Sequence, residues 1–504
     1  MRGGSLSRSL SPGRAALPAL VALAVVSGCA VAPVTEGAAG PRGEGVSGAV
    51  GATPARWHAP LPAPAAERVV APQPGAAGGH PAAASPAAWW ARFNDPLLDL
   101  VMNAALGASA DLSSAAARLA QARSQRVLAQ ADLWPSLLAQ AGTVRGRTEP
   151  AQPLANTASG SLQAAWEVDL FGARRAASRA AQARFEGAGA ALAAARIAVS
   201  AETALSYLQF RACEAQAQLA EMDSRSRDET ARLTALAAGA GLRAGADAAL
   251  ALAGAAQGRG LALQQRAQCD RLLKALVALT ALDEPVLRER LGAAPGRLPS
   301  VSPPAVTMLP AAWLQQRPDL AAAAAEVEAA GAEVAQRRSQ RWPQMTLQGQ
   351  VGVARAAGVG FTREGSVWSL GPLSVTIPVF DGGRRDAAQR AATAAYDEAA
   401  ARYRAALRQA VREVEDALVR IDAARAREAD TRQAAQSLSE VLRATQDRWT
   451  AGLASQFELE DARRGALAAR AALVDLEREH TESAIALYRA LGGGWGESAA
   501  RPSP

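Results

Sequence analysis

The chain has 504 residues, of which 49% are hydrophobic and only 4% aromatic, with 54 lysines and arginines against 47 acids for a formal net charge of +7. So few aromatics with so much alanine do not describe several ordinary globular cores, although the length would allow them. The basic surplus is arginine spread along the chain, without an RNP, zinc-finger or basic-aromatic pattern, so no nucleic acid is expected as a partner.

In chain order, Arg2, Arg8 and Arg14 form a basic leader, residues 15–26 are apolar, and Ser27-Gly28-Cys29 follows. This is the layout of an export signal, and its apolar run falls short of the roughly 20 residues of a spanning helix. "VSGC" resembles a bacterial lipobox; against a chance occurrence of SGC, it implies removal of residues 1–28 and acylation of Cys29, making outer-membrane lipid a partner. Residues 29–88 are rich in proline, alanine and glycine without a sustained period, and read as a flexible or partly extended lipidated tether.

The body opens at "WWARFNDPLLDLV". Asp95-Pro96 reads as a helix start, with Leu97, Leu98, Val101 and Met102 on one face, and a second helix runs from about Asp111 to Trp134, where Pro135 stops it. Alternation follows, putting Leu162, Ala164, Trp166, Val168 and Leu170 on one strand face. A helix is then expected over residues 173–223 and a returning one over 226–280, with Gly239, Gly241 and Gly245 at a bend. If that hairpin turns near residue 225, Cys213 lies near the turn and Cys269 several turns away, too far for a disulfide. His58, His80 and His480 lack ligand spacing, so neither metal nor cofactor is expected.

The design then repeats. Asp319-Leu320 and Trp342-Pro343 stand at the same separation as Asp111-Leu112 and Trp134-Pro135. Met345, Leu347, Val351 and Val353 alternate, as do Val375, Ile377 and Val379, before helices over 384–436 and 438–490 with Gly452 at an interruption. The chain therefore divides into two repeats, residues 89–300 and 301–496, and a tail, residues 497–504. Four strands cannot close a barrel, since bacterial outer-membrane barrels begin at about 8, and exposed sheet edges are not tolerated in lipid. An oligomer is expected.

The stretches "WWARFNDPLLDLV", "ADLSSAAARLAQAR", "WEVDLFGARR", "LPAAWLQQRPDLAAAAAEVEAAGAEVAQ", "VTIPVFDGGRR" and "LYRALGGGW" resemble, in order, the outer-membrane efflux factors, in particular the lipoprotein channel subunits of tripartite resistance-nodulation-division type drug pumps. The resemblance covers nearly everything from Trp89 to Trp495; Gln316 departs from the arginine usual there, and the tether is unusually long. It implies a mixed α/β membrane protein: a homotrimer with one twelve-stranded outer-membrane barrel, continued by a periplasmic barrel of twelve helices closed at its tip. It also implies a periplasmic adaptor and an inner-membrane proton-driven pump as partners, and a passive exit duct for drugs or other small amphiphiles. A protein-secretion duct and a non-pore coiled-coil scaffold are the rival readings. No catalytic triad, paired acids or metal cluster supports an enzyme.

Arg317, Pro318 and Asp319 read as a helix-start device. Pro378 ends a strand, Asp381 caps the coming helix, and Gly382 and Gly383 let the chain turn. Gly492, Gly493 and Gly494 terminate the last helix. With turns placed at 220–232 and 430–448, the candidate periplasmic gate is Asp447, Asp430, Arg443, Arg448, Asp228 and Arg225, Asp447 leading, because an inward-facing acid becomes a ring of charge in a symmetric oligomer.

Overall fold

The computed structural model describes residues 56–61, 89–147, 154–303, 314 and 316–493. Cys29, Gly494 and the leader lie outside them. After a short 3-10 turn at Ala91–Phe93, helix α1 spans Pro96–Ala108 and buries Leu98, Val101, Met102 and Ala105. Asp95 starts it, accepting from the amides of Leu97 (3.0 Å) and Leu98 (3.2 Å), with Pro96 in the first turn, where its missing N–H costs nothing. Helix α2 (Ala110–Ala131) is capped by Ser109 and ends just before Trp134-Pro135.

Strands β1 (Ser136–Gly146) and β2 (Ala155–Val168) follow, then α3 (Ala173–Gly239), α4 (Gly245–Thr280) and α5 (Glu284–Gly292). The second half repeats the order with α6 (Pro318–Ser339), β3 (Gln344–Gly358), β4 (Phe361–Thr376), α7 (Arg384–Thr450) and α8 (Gln456–Ala490). The two descending helices α3 and α7 are 67 residues each, about 100 Å at 1.5 Å per residue. The strands run β1-β2-β3-β4, all antiparallel, so β2 of the first half pairs with β3 of the second and both halves share one sheet. Leu170, Ile377 and Val379 fall beyond the strand ends.

The hairpin turns differ from the sequence expectation. The descending helices run on through residue 225 and through residues 430–448, and turn instead at 240–244 and 451–455. Gly241 (φ 75°) and Gly452 (φ 73°) are therefore not bends in a returning helix; they are the left-handed residues that end α3 and α7. The Leu242 amide reaches the Ala237 carbonyl at 2.8 Å, and the Leu453 amide reaches Arg448 at 2.7 Å, closing the last turn each time.

That shift also corrects the cysteines. Cys213 lies as far before Gly241 as Cys269 lies after it, so the two sit level across the α3–α4 hairpin and form a disulfide, with Cα atoms 5.5 Å apart.

The main apolar core lies around the middle of α3, where α1 and the C-terminal ends of α4 and α8 meet it. Trp89, Trp90 and Phe93 pack with Leu98, Tyr207, Leu276 and Ile485, and Trp89 stacks on Tyr488 of α8 at 4.2 Å between ring centroids. A second cluster fills the space between α6 and α7 around Val327, Tyr396 and Leu407. Helix α6 packs against both α3 and α7, whereas its counterpart α2 packs on α3 and leaves Val127 and Leu128 exposed.

Candidate functional site

The sheet register sorts the strand side chains onto two faces. Ala139, Leu162, Val351 and Trp368 stand side by side in one row. Rows of the same parity hold Leu137, Ala164 and Leu370, then Trp166, Leu347 and Leu373, then Val168, Met345 and Val375. The adjacent row of opposite parity carries Leu138, Gln163, Gln350 and Ser369, and its neighbours carry Ser161, Ser159 and Thr157. One face is thus apolar and the other mostly polar, the alternation of a membrane barrel with a wet interior.

Beta-strand spacing makes the apolar rows from Val168 to Gly160 about 27 Å long along the strand, comparable with the ~25 Å lipid-facing band of such barrels. Arg145 and the Arg355–Glu364 pair (3.9 Å) follow at one end of the band. Exposed Trp134 and Trp342 mark the other, and Trp342 stacks on Phe171. Between Leu347 and Gly349 the register shifts to admit Gly371-Pro372 of β4, keeping Leu370 and Leu373 on one face. Proline is accommodated there because the bulge needs no ladder donor. Strands β1 and β4 each keep one unpaired edge.

Below the sheet, both halves turn into their long helices by the same device. Asp169 accepts from the Arg175 amide (2.9 Å) ahead of Gly172, and Asp381 accepts from Gly383 (3.0 Å) and Arg385 (3.2 Å). Gly172, Gly382 and Gly383 all have positive φ, the conformation a sharp strand-to-helix turn requires of them. Pro378 lies two residues past the end of β4.

Arg317 is only 6% exposed and is the hub of the second half. It holds Asp319 through two hydrogen bonds (3.0 and 2.7 Å), Glu413 of α7 (2.8 Å) and the Ala490 carbonyl at the end of α8 (2.8 Å). Pro318 opens α6 beside it. Gly492 and Gly493 close over this hub: a Cβ on Gly492 would stand 3.0 Å from the Gln316 carbonyl, and one on Gly493 would stand 2.8 Å from Ile197. The first half carries a buried arginine hub of its own, inside α3, that sequence reasoning missed. Arg211, 3% exposed, binds Tyr207 Oη (3.0 Å), Glu214 (2.8 Å) and the Leu291 carbonyl (2.9 Å), and Tyr207 in turn donates to Asp95 (2.8 Å). Burial pushes the Tyr207 hydroxyl pKa up, so it stays a donor. The signal was there: an arginine inside an otherwise apolar helical run.

At the far end of the hairpins the candidate gate residues separate. Asp447 and Arg448 lie in the last turn of α7, on the descending helix and not the returning one, and Arg448 donates to the Leu453 carbonyl (3.1 Å). Arg443 is one turn higher and pairs with Glu440 at 4.0 Å. Asp430 lies about 30 Å above the turn by helical rise. Arg225 pairs with Glu221 (3.5 Å) and Asp228 with Arg259, both within the first hairpin. A different group joins the two hairpins. Glu460 of α8, 7% exposed, accepts from Ser226 of α3 (3.0 Å) and Arg463 (2.9 Å); Arg463 also donates to Ser226 (2.9 Å), and Gln456 donates to Thr230 (3.0 Å).

Comparison with known proteins places this architecture. Residues 101–282 and 309–493 match the family described as "Outer membrane efflux protein". The chain is 30% identical over 449 residues to outer membrane protein OprJ of Pseudomonas aeruginosa, covering 86% of this chain and 93% of that one. It is 30% identical over 467 residues to the pyoverdine export outer membrane protein OpmQ of the same species, covering 89% and 94%. Among solved structures, VceC of Vibrio cholerae superposes with a TM-score of 0.70 at 26% identity, over 81% of this chain and 99% of that one. A membrane protein of Pseudomonas aeruginosa gives 0.74 at 28%, over 88% and 99%. Crystal structures of this fold form trimers with 12-stranded barrels. Sheet, paired hairpins and sequence agree: the chain belongs to the outer membrane efflux protein family, the outer-membrane exit ducts of efflux pumps.

Proposed function

We propose that this chain, as a homotrimer, conducts small amphiphilic molecules passively from the periplasm to the outside, fed by an inner-membrane proton-driven pump through a periplasmic adaptor. The observation that carries the reading is a sheet with one apolar face, one polar face and two free edges. Three such sheets joined edge to edge bury every edge and enclose the polar face, which is what a bilayer demands of strands. Membership of a channel family makes the chain a duct and not an enzyme. The activities of two relatives, pyoverdine export for OpmQ and toluene efflux for TtgI of Pseudomonas putida, support small molecules as the cargo. The matching lengths of α3 with α7 and of α4 with α8 support two efflux-factor repeats, residues 89–300 and 301–496.

Acylation of Cys29 after removal of residues 1–28 completes the proposal. One experiment tests assembly and anchoring together. Native mass spectrometry of the detergent-extracted protein is expected to show three chains, each starting at Cys29 with added lipid mass, and planar bilayers are expected to show a conductance. A stable monomeric pore would contradict the assembly, and an unmodified Cys29 would remove the anchor alone.

Closure is assigned to the hairpin ends. Asp447 and Arg448 stand beside the turn and Asp430 higher on α7, while the Ser226–Glu460–Arg463 seam holds α8 against α3. Removing a charged partner from a buried hydrogen bond costs roughly 1.5–3 kcal/mol, which is about 10–100-fold in a two-state ratio. Glu460→Ala is therefore expected to raise the open fraction of single channels by that factor, and Asp447→Ala by less, because Asp447 is not part of the seam. Equal, wild-type conductance in both variants, with trimers intact, would remove these residues from the gate and leave the duct standing.

A further inference from the structure

Residues 56–61 belong to a stretch whose composition reads as a loose tether, yet they are seated on the helices. Trp57 is 8% exposed and Ala59 9%. They pack with Val414, Leu418 and Ile421 of α7 and with Leu487 of α8 and Leu491 just past its end. The Glu415 carboxylate takes the segment by its backbone: one oxygen accepts from the His58 amide and the other from the Ala59 amide, each at 2.7 Å. Two consecutive amides on one carboxylate, beside a buried indole, form a two-point grip on a bent peptide. The site stands next to the Arg317 hub: Glu413, two residues before Glu415, binds Arg317, and the Ala490 carbonyl that Arg317 holds belongs to a residue packed in the Trp57 cluster.

We infer that this surface of α7 and α8 is a peptide-docking site for the chain's own Trp57-His58-Ala59, and that the N-terminal arm is fastened at this height and not left free. The side chain of His58 is exposed and takes no part, so recognition rests on the indole, the small Ala59 and the main chain. The occupant is the segment of the same chain. A docked Trp57 also covers Leu418, Ile421 and Leu487, which are 0–1% exposed with it in place; without it, an apolar patch would face water beside the hub.

The docking follows from the contacts alone. A consequence for anchoring rests in addition on the acylation of Cys29 proposed above. Glu415 lies 31 residues into α7 from Arg384, about 47 Å below the barrel base at 1.5 Å per residue. The 28 residues from Cys29 to Trp57 can reach at most about 95 Å, so a lipid on Cys29 and a docked Trp57 can be held at the same time.

Hydrogen exchange of the detergent-solubilised trimer, read by mass spectrometry on peptides covering residues 54–62, tests the docking. The His58 and Ala59 amides are expected to exchange about 10–100-fold more slowly than unstructured amides, the protection given by hydrogen bonds to a charged group. Glu415→Ala is expected to abolish that protection while the amides of α7 stay protected, and Trp57→Ala to weaken it. Cys29→Ser is expected to leave it unchanged. Coil-like exchange of both amides in the wild-type trimer, or protection that survives Glu415→Ala, would overturn the site; protection lost in Cys29→Ser would overturn the claim that the grip suffices without lipid.

Discussion

Arg317→Ala is expected to destabilise the protein by about 3 kcal/mol, the lower end of the ~3–5 kcal/mol typical for breaking a buried ion pair. The lower end applies because the Asp319 and Glu413 side chains keep 47% and 27% exposure, so water can replace part of what the guanidinium gave them. The Ala490 carbonyl has no such replacement so close to Gly492. Arg317→Lys is expected to rescue little, since one ammonium cannot hold two carboxylates and a carbonyl in a plane. Thermal unfolding of the extracted trimer checks this, and a melting temperature within a degree of wild type would refute the hub. The pH dependence adds a second reading. Burial alone would raise the Asp319 carboxyl, but the Arg317 hydrogen bond and charge outweigh it and hold it below the usual range. Its stabilisation is therefore complete above the unfolded-state value of about 3.9 and is lost as pH falls through the lowered folded value. Arg317→Ala is expected to flatten that acid limb.

Replacing Cys213 and Cys269 together by alanine is expected to cost about 4 kcal/mol, the chain-entropy value for a closed loop of this size, given a sequence separation of 56. The loss should concentrate in the α3–α4 hairpin. Helix α4 has glycine at 254, 258 and 260, each a weak point in a helix interior, and its start at Gly245 has no side-chain cap. Helix α8 carries instead a full capping box between Ser455 and Glu458. Hydrogen exchange is expected to show faster opening of α3 and α4 in the double variant and little change in α7 and α8. A uniform change across both hairpins would argue against a local staple.

The elements were legible where one signal dominated. Asp95-Pro96, Trp134-Pro135 and Trp342-Pro343 punctuate the chain with residues whose effect on the backbone is fixed, and the strands announce themselves because one face meets lipid. The hairpin ends were not read correctly, since residues 220–232 are charged and polar as a turn would be, while the deciding residues are single glycines inside alanine-rich helix. Misplacing the turn misplaced Cys213 relative to Cys269. Arg211, Glu415 and Glu460 were missed for another reason. Each acts through groups 80 to more than 350 positions away, the Leu291 carbonyl, the His58 and Ala59 amides and the Ser226 hydroxyl, and no local pattern encodes such a meeting. The Asp169 and Asp381 turns needed only neighbours within six residues and could be read at sight for the second half.

The equal 67-residue lengths of α3 and α7 make the molecule a ruler with two matched arms. Both arms start at the base of one sheet, so both reach the same depth, and a ring of alternating arms has a level rim. An insertion of seven residues in one arm alone would lower its end by about 10 Å and leave three points of the rim standing proud of the other three. Length can therefore change only in pairs, with descending and returning helices adjusted together in both halves. The bridge between Cys213 and Cys269 tightens this rule for the first arm, because an insertion on one side of it alone would take the two sulfurs out of level.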